Sequence, residues 1–167
     1  MPRTKSDPPL LDAMQAAFLG GPVAINLASH DAAGTPSITR AYGCKVSADR
    51  REVVVFLSRQ RSEAILRDLA AGAPIAVVFS RPKTHETLQL KGAHGRILPL
   101  GSGDRDIMLA CGAAFSAEII ALGHSEGFSR ALMAPAGDDA AGIAFTPDAV
   151  FEQTPGPGAG RRLEPKP

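Results

Sequence analysis

The sequence predicts an α+β fold: a β-barrel of about six mostly antiparallel strands with flanking helices. Three observations carry this. Short apolar runs rich in Val, Ile and Phe recur along the chain, bounded by Gly, Pro, Ser and Asp clusters. The first three runs are joined by short turns, which makes them antiparallel neighbours. Few helical stretches interrupt them, too few for a doubly wound sheet.

The elements follow in order. Asp7 can cap a first helix, with Pro8-Pro9 in its first turn; Leu10, Leu11, Met14, Ala17 and Phe18 share a face and Gly20-Gly21 ends it. Strands are expected over 23–29, 37–46 and 53–57, separated by turn clusters at 31–36 and 47–51. A helix over 62–71 has Ser62 as cap, Glu63 in its first turn and Gly72 at its end. A fourth strand covers 74–80. A fifth runs over 87–98, with Leu88, Leu90 and Ile97 pointing inward. Gly101-Ser-Gly103 leads into a helix near 104–122, with aspartates where the helix dipole favours them. A short helix over 127–133 and a strand over 142–145 follow. Residues 154–167 form a Pro/Gly-rich tail that excludes a central strand or a helix but not an ordered loop.

Composition bounds the function. The chain has 167 residues, 44% hydrophobic and 21% charged, which suits one domain able to bury its own core. Net charge is +1, so no global field draws in nucleic acid or an anionic membrane. No apolar run is long enough to cross a bilayer, and the first residues lack the apolar stretch of a secretory leader. Cys44 and Cys111 read as free thiols, in keeping with a cytoplasmic protein.

One motif looks catalytic. Gly123-His-Ser125-Glu-Gly127 matches the G-x-S-x-G nucleophile elbow, but no histidine follows Ser125, and that fold needs one there. The segment reads as glycine punctuation between two helices. The four histidines and two cysteines show no metal-ligand spacing. The C-terminal glycines lack the βαβ unit of a dinucleotide site.

Three segments have a different bearing: Arg40-Ala-Tyr-Gly-Cys-Lys45, Phe56-Leu-Ser-Arg-Gln-Arg-Ser62 and Thr87-Leu-Gln-Leu-Lys-Gly92. In order and spacing, over about residues 20–98, they resemble the pyridoxamine 5′-phosphate oxidase-related, FMN-binding split-barrel family. Arg40 and Lys45 match that family's first strand motif. Ser58 and Ser62 hold hydroxyl positions of the second, but Glu63 and Ala64 stand where the family has an Arg-Lys pair for the phosphate. Thr87 falls on the glutamine of the third, with Gln89 two residues on and on the same face. The resemblance implies a split barrel, an FMN cofactor and a homodimer with the cofactor at the subunit interface. It implies a flavin-dependent oxidoreductase acting on a small molecule, or a non-catalytic flavin or haem binder on the same scaffold. The residues it assigns to the cofactor are Arg40, Ala41, Tyr42, Lys45, Leu57, Ser58, Arg61, Ser62, Thr87 and Gln89.

Physical chemistry adds to this. Arg59, Arg61 and two serines at a helix start are donors suited to a phosphate. Arg61 can replace the missing pair or be a solvated arginine. Arg40 sits in an otherwise uncharged strand and needs a partner: a ligand phosphate, or a carboxylate such as Glu52 or Glu86. The tail either docks to wall a ligand or remains a solvated terminus.

Overall fold

The computed structural model describes residues 8–133 and 139–165. It contains helices α1 (Ala13–Leu19), α2 (Glu63–Ala70), α3 (Asp104–Ala121) and α4 (Glu126–Leu132). The strands are β1 (Ala24–His30), β2 (Pro36–Val46), β3 (Val53–Ser58), β4 (Ile75–Ser80), β5 (Thr87–Gly92), β6 (Arg96–Leu98), β7 (Ala140–Phe145), β8 (Ala149–Glu152) and β9 (Arg162–Leu163). The fold is thus α+β as expected, but the strands number nine rather than about six.

Three differences account for the extra strands. The single strand expected over 87–98 is two, broken where Gly92 and Gly95 meet neighbouring side chains. The apolar stretch Ala149-Val-Phe151 pairs with β5 as β8. The Pro/Gly segment is an ordered loop that returns as β9, with Gly160 N donating to Glu152 O at 2.7 Å. The first helix also starts later than expected. Asp7 lies outside the described residues; Asp12 is the cap, in a reciprocal box with Gln15. Leu11 and Leu19 are buried, while Met14 is 83% exposed.

The strands form one antiparallel sheet in the order β6-β7-β3-β2-β1-β4-β5-β8-β9. That order forces it to curl. Five strands separate β5 from β6, which laid flat would put them about 29 Å apart. Residues 93–95 must bridge that gap, and so short a link reaches at most about 14 Å. The link from β7 to β8 over residues 146–148 imposes the same constraint. The ends meet at a seam: a Cβ on Gly92 would lie 3.0 Å from Phe145 Cδ2, and Asp148 N donates to Lys91 O at 2.9 Å. The ladder itself does not close, because β6 and β9 each pair on one side only.

The curled sheet encloses the main core. Leu27, Leu57, Phe79, Leu90, Ile143 and Val150 fill it, and α2 adds Ile65 and Leu69. A second cluster lies outside the sheet, where Tyr42, Val54, Phe56 and Ala144 meet Met108 of α3. α3 comes this close because β2 bulges. Ala41 pairs with Leu57 but Cys44 with Val55, so one extra residue is inserted at Tyr42-Gly43. A Cβ on Gly43 would stand 3.1 Å from Met108 Cα, so glycine permits the helix to approach.

Beyond β2 the outer face is open. Directly paired residues share a face, so Arg40, Asn26, Val78, Gln89 and Phe151 form one row across β2, β1, β4, β5 and β8. All five are half-buried. In the adjacent row Ile38 is 73% exposed. No helix of the described residues is long and apolar enough to cross a membrane. Cys44 and Cys111 are both free, and burial pushes the Cys44 thiol pKa well up.

Candidate functional site

β2 alternates, so Arg40 and Tyr42 project from the outer face while Thr39 and Ala41 turn inward. Arg40 is enclosed by the two helices that follow β6. Its guanidinium carbon lies 5.2 Å from the centre of the Phe115 ring on α3, and Nη2 donates to Met133 Sδ at 3.5 Å after α4. Its Nε is buried with no hydrogen-bond partner among the described residues. Neither carboxylate considered from the sequence reaches it. Glu52 pairs instead with Arg96 at 2.5 Å, and Glu86 forms no ion pair with it. Burial lowers the pKa of Arg40 from its ordinary value, which does not discharge an arginine.

Arg61 reaches the same place from the start of α2. Its Nη1 donates to Tyr42 Oη at 2.9 Å. One arginine, Arg61, therefore bonds the buried phenol, and the other, Arg40, stands two residues before that tyrosine on the same face of β2. Arginine donors of this kind are suited to an oxyanion.

The other expected residues have partners of their own. Ser58 Oγ donates to Asp139 Oδ2 at 2.9 Å, and the backbone N–H of Gln60 donates to the same oxygen at 2.9 Å. Asp139 thus occupies the donors at the β3–α2 junction with the chain's own carboxylate. Those bonds, the Gln60 amide first and the Ser58 hydroxyl second, hold the Asp139 pKa below its ordinary 3.8. A depressed carboxylate stabilises the fold above its unfolded pKa, and the contribution is lost as pH falls through the folded value. This anchor therefore holds at neutral pH and releases only in acid.

Ser62 Oγ and Thr39 Oγ1 pair at 2.7 Å in the interior. Ser62 occupies the α2 cap position without a side-chain capping bond, contrary to its expected role as a cap. Lys45 forms an ion pair with Asp104 at the start of α3 and also lies 5.6 Å from the Phe56 ring centre. Ala41 and Leu57 face the main core and are buried.

Thr87 and Gln89 stand at the other end of the row. Thr87 N donates to Thr154 Oγ1 at 3.0 Å, and Gln153 Nε2 donates to Gln89 Oε1 at 3.1 Å. The C-terminal loop is therefore tied to β5 by side chains as well as by β8. Two strands, β1 and β4, lie between Gln89 and Arg40, so about 14 Å separates them along the sheet. Asn26 and Val78 form the floor between.

Four residues of this region were not singled out in the sequence: Asn26, Phe115, Met133 and Asp139. Nothing local marks them. Each enters through strand pairing or through the α3–α4 excursion.

The G-x-S-x-G segment is structural. Ser125 caps α4, its Oγ accepting from Phe128 N at 3.1 Å, and His124 stacks on Phe128 with ring centres 5.0 Å apart. Ser125→Ala is expected to cost about 0.5–2 kcal/mol, the usual value of a lost cap. The wild type is expected to resist a fluorophosphonate probe in a gel-labelling assay; labelling that disappears in the variant would show a nucleophile instead.

No family model matches the chain, and no curated protein does. Solved structures do. HupZ from Group A Streptococcus has 13% identity and a TM-score of 0.54, covering 90% of this chain and 99% of its own. An F420 reductase has 18% identity and a TM-score of 0.54, covering 84% and 98%. A Lactobacillus delbrueckii protein assigned as a pyridoxamine 5′-phosphate oxidase has 13% identity and a TM-score of 0.52, covering 84% and 93%. The chain has the fold of the pyridoxamine 5′-phosphate oxidase-like proteins, as its three sequence segments suggested. At these identities the likeness establishes the fold and no more.

Proposed function

We propose that the protein is a divergent flavin-binding member of the pyridoxamine 5′-phosphate oxidase-like superfamily. In this reading it is an FMN-dependent oxidoreductase acting on a small molecule as a homodimer. The observation that carries the proposal is Arg40: a half-buried guanidinium with an unpartnered Nε and no carboxylate, two residues from a tyrosine whose hydroxyl holds a second arginine, Arg61. Natural proteins seldom leave a buried donor unpaired, and a phosphate would satisfy it.

Arg40, Arg61 and the Tyr42 hydroxyl would hold the phosphate. Lys45 is taken up by Asp104, and the Ser58 hydroxyl by Asp139, so they stand behind this set rather than in it. Asn26, Val78 and Gln89 supply the floor along which the flavin would lie, with Ala41 and Leu57 in the core beneath. FMN, when bound, would supply the two-electron chemistry; the chain supplies orientation and charge. The names of two proteins with this fold, an oxidase and a reductase, agree with redox chemistry.

The open face supports the dimer. One curled sheet offers a half-exposed row and an Ile38 that is 73% exposed, and enclosing a flavin ring needs a second wall. A second copy laid on this face would provide it. Two free thiols suit the cytoplasm, where they remain reduced.

Fluorescence-quenching titration tests the cofactor and light scattering the dimer. FMN is expected to bind at least about tenfold more tightly than riboflavin, since charge-assisted bonds contribute about 1.5–3 kcal/mol. A dimer is expected at tens of micromolar. Equal affinity for the two flavins would remove the phosphate site from the proposal, and a monomer would remove the shared interface.

A further inference from the structure

A second cleft lies on the far side of Tyr42, between α3 and α4. Its volume is about 360 Å³, at the lower end of the range of about 300–1,000 Å³ for small-molecule sites. Met108 of α3 and Met133 after α4 provide apolar walls, and Tyr42 lies at its base. Gly112 makes room at mid-helix: a Cβ there would meet nothing nearer than Met133 Cε at 3.7 Å.

Two further observations point to an occupant. Ser129 lines the cleft and is 2% exposed, yet its Oγ has no hydrogen-bond partner among the described residues. A buried hydroxyl without a partner is costly, and the residue that carries it lines the cleft. In addition, Glu118 is the only charged residue between Ile107 and Gly123, and it turns away from the cleft to Arg81 at 2.9 Å. A helix apolar on nearly all sides is one that expects further apolar contact. Charge at the cleft favours an anion. Arg130 and Glu126 both line it, and Arg61, outside the lining, adds a second cation on the hydroxyl of Tyr42.

We infer that the α3–α4 cleft binds a small amphiphilic carboxylate. Its hydrocarbon body packs between Met108 and Met133, and its head accepts from Ser129 Oγ and faces Arg130. The cleft shares Tyr42 with the proposed phosphate set and Met133 with the surroundings of Arg40, but its occupant is a different molecule and does not require FMN.

Methionine methyl NMR on the full chain tests this with octanoate as probe and 1-octanol as its uncharged match. Met108 and Met133 report on the cleft, and the exposed Met14 on α1 serves as the internal control. Octanoate is expected to shift Met108 and Met133 saturably, leave Met14 unmoved, and bind at least about tenfold more tightly than octanol. Ser129→Ala is expected to weaken octanoate binding by roughly three- to tenfold. Gly112→Leu places a better helix former in the cleft and is expected to abolish binding while circular dichroism stays native. The inference is overturned if octanoate shifts neither methyl, if octanol binds equally well, or if Gly112→Leu binds as the wild type does. A flavin titration that fails leaves these outcomes unaffected, so the two readings fall separately.

Discussion

Arg40→Ala is expected to weaken FMN binding by at least about tenfold and to change riboflavin affinity by no more than about twofold. The asymmetry is the informative part. A guanidinium that serves only to pack against Phe115 and Met133 has no means of distinguishing a phosphate from a hydroxyl. Arg40→Met separates the two roles further, because it keeps an apolar stem beside Phe115 and removes only the charge and donors. The methionine variant is expected to remain folded and to lose FMN preference as fully as the alanine variant. Retention of that preference in both variants would place the phosphate elsewhere. The donors held by Asp139 would then be the first alternative, and Asp139→Ala the variant to compare.

The second large effect concerns the fold. Gly92→Val is expected to destabilise the protein by about 1–3 kcal/mol, or roughly 3–10 °C in Tm for a chain of this size. Valine is a good strand residue, and on an open strand the substitution would be favourable. At Gly92 its Cβ would sit 3.0 Å from Phe145 Cδ2, 3.1 Å from the Thr146 carbonyl oxygen and 3.3 Å from Ile75 Cγ2. These contacts exist only because the sheet curls until β5 meets the end of β7. Lys91→Thr, one residue earlier and exposed, is the control and is expected to stay within about 0.5 kcal/mol. Thermal melts of the two variants decide the matter: a neutral or stabilising Gly92→Val would mean that the seam is not packed as described.

How far the sequence could be read depended on how local each signal was. Strands β1 to β4 and helix α2 were legible because turn residues bracket dense runs of Val and Ile, and each element is set by its own residues. The break after Gly92 was missed because alternation continues through Leu88, Leu90 and Ile97. The reason for the break lies across the curled sheet, in Phe145, Leu69 and Ile143. β8 and β9 were missed for the same reason: their hydrogen bonds go to β5 and to each other, not to sequence neighbours.

The candidate site divides along the same line. Arg40 and Tyr42 were identifiable as neighbours because alternate residues of a strand share a face, and Arg61 by its place at a helix start. What each polar residue bonds to was not identifiable. Ser58 meets Asp139 across 81 positions, Lys45 meets Asp104 across 59, and Arg40 meets Met133 across 93. The α3–α4 excursion carries or adjoins all three partners. Nothing in its residues signals that it folds back over β2, apart from a long helix whose only charged residue after the first turn is Glu118.

Phosphorus-31 NMR of FMN bears most directly on the central claim, because it observes the phosphate itself. With one equivalent of the wild-type chain, the FMN phosphate resonance is expected to broaden and shift. With Arg40→Met under the same conditions, it is expected to return to the position and width of free FMN. A phosphate signal that stays at the free position in the presence of stoichiometric wild-type protein, or that moves equally in both proteins, would contradict the assignment of Arg40 as the phosphate's partner.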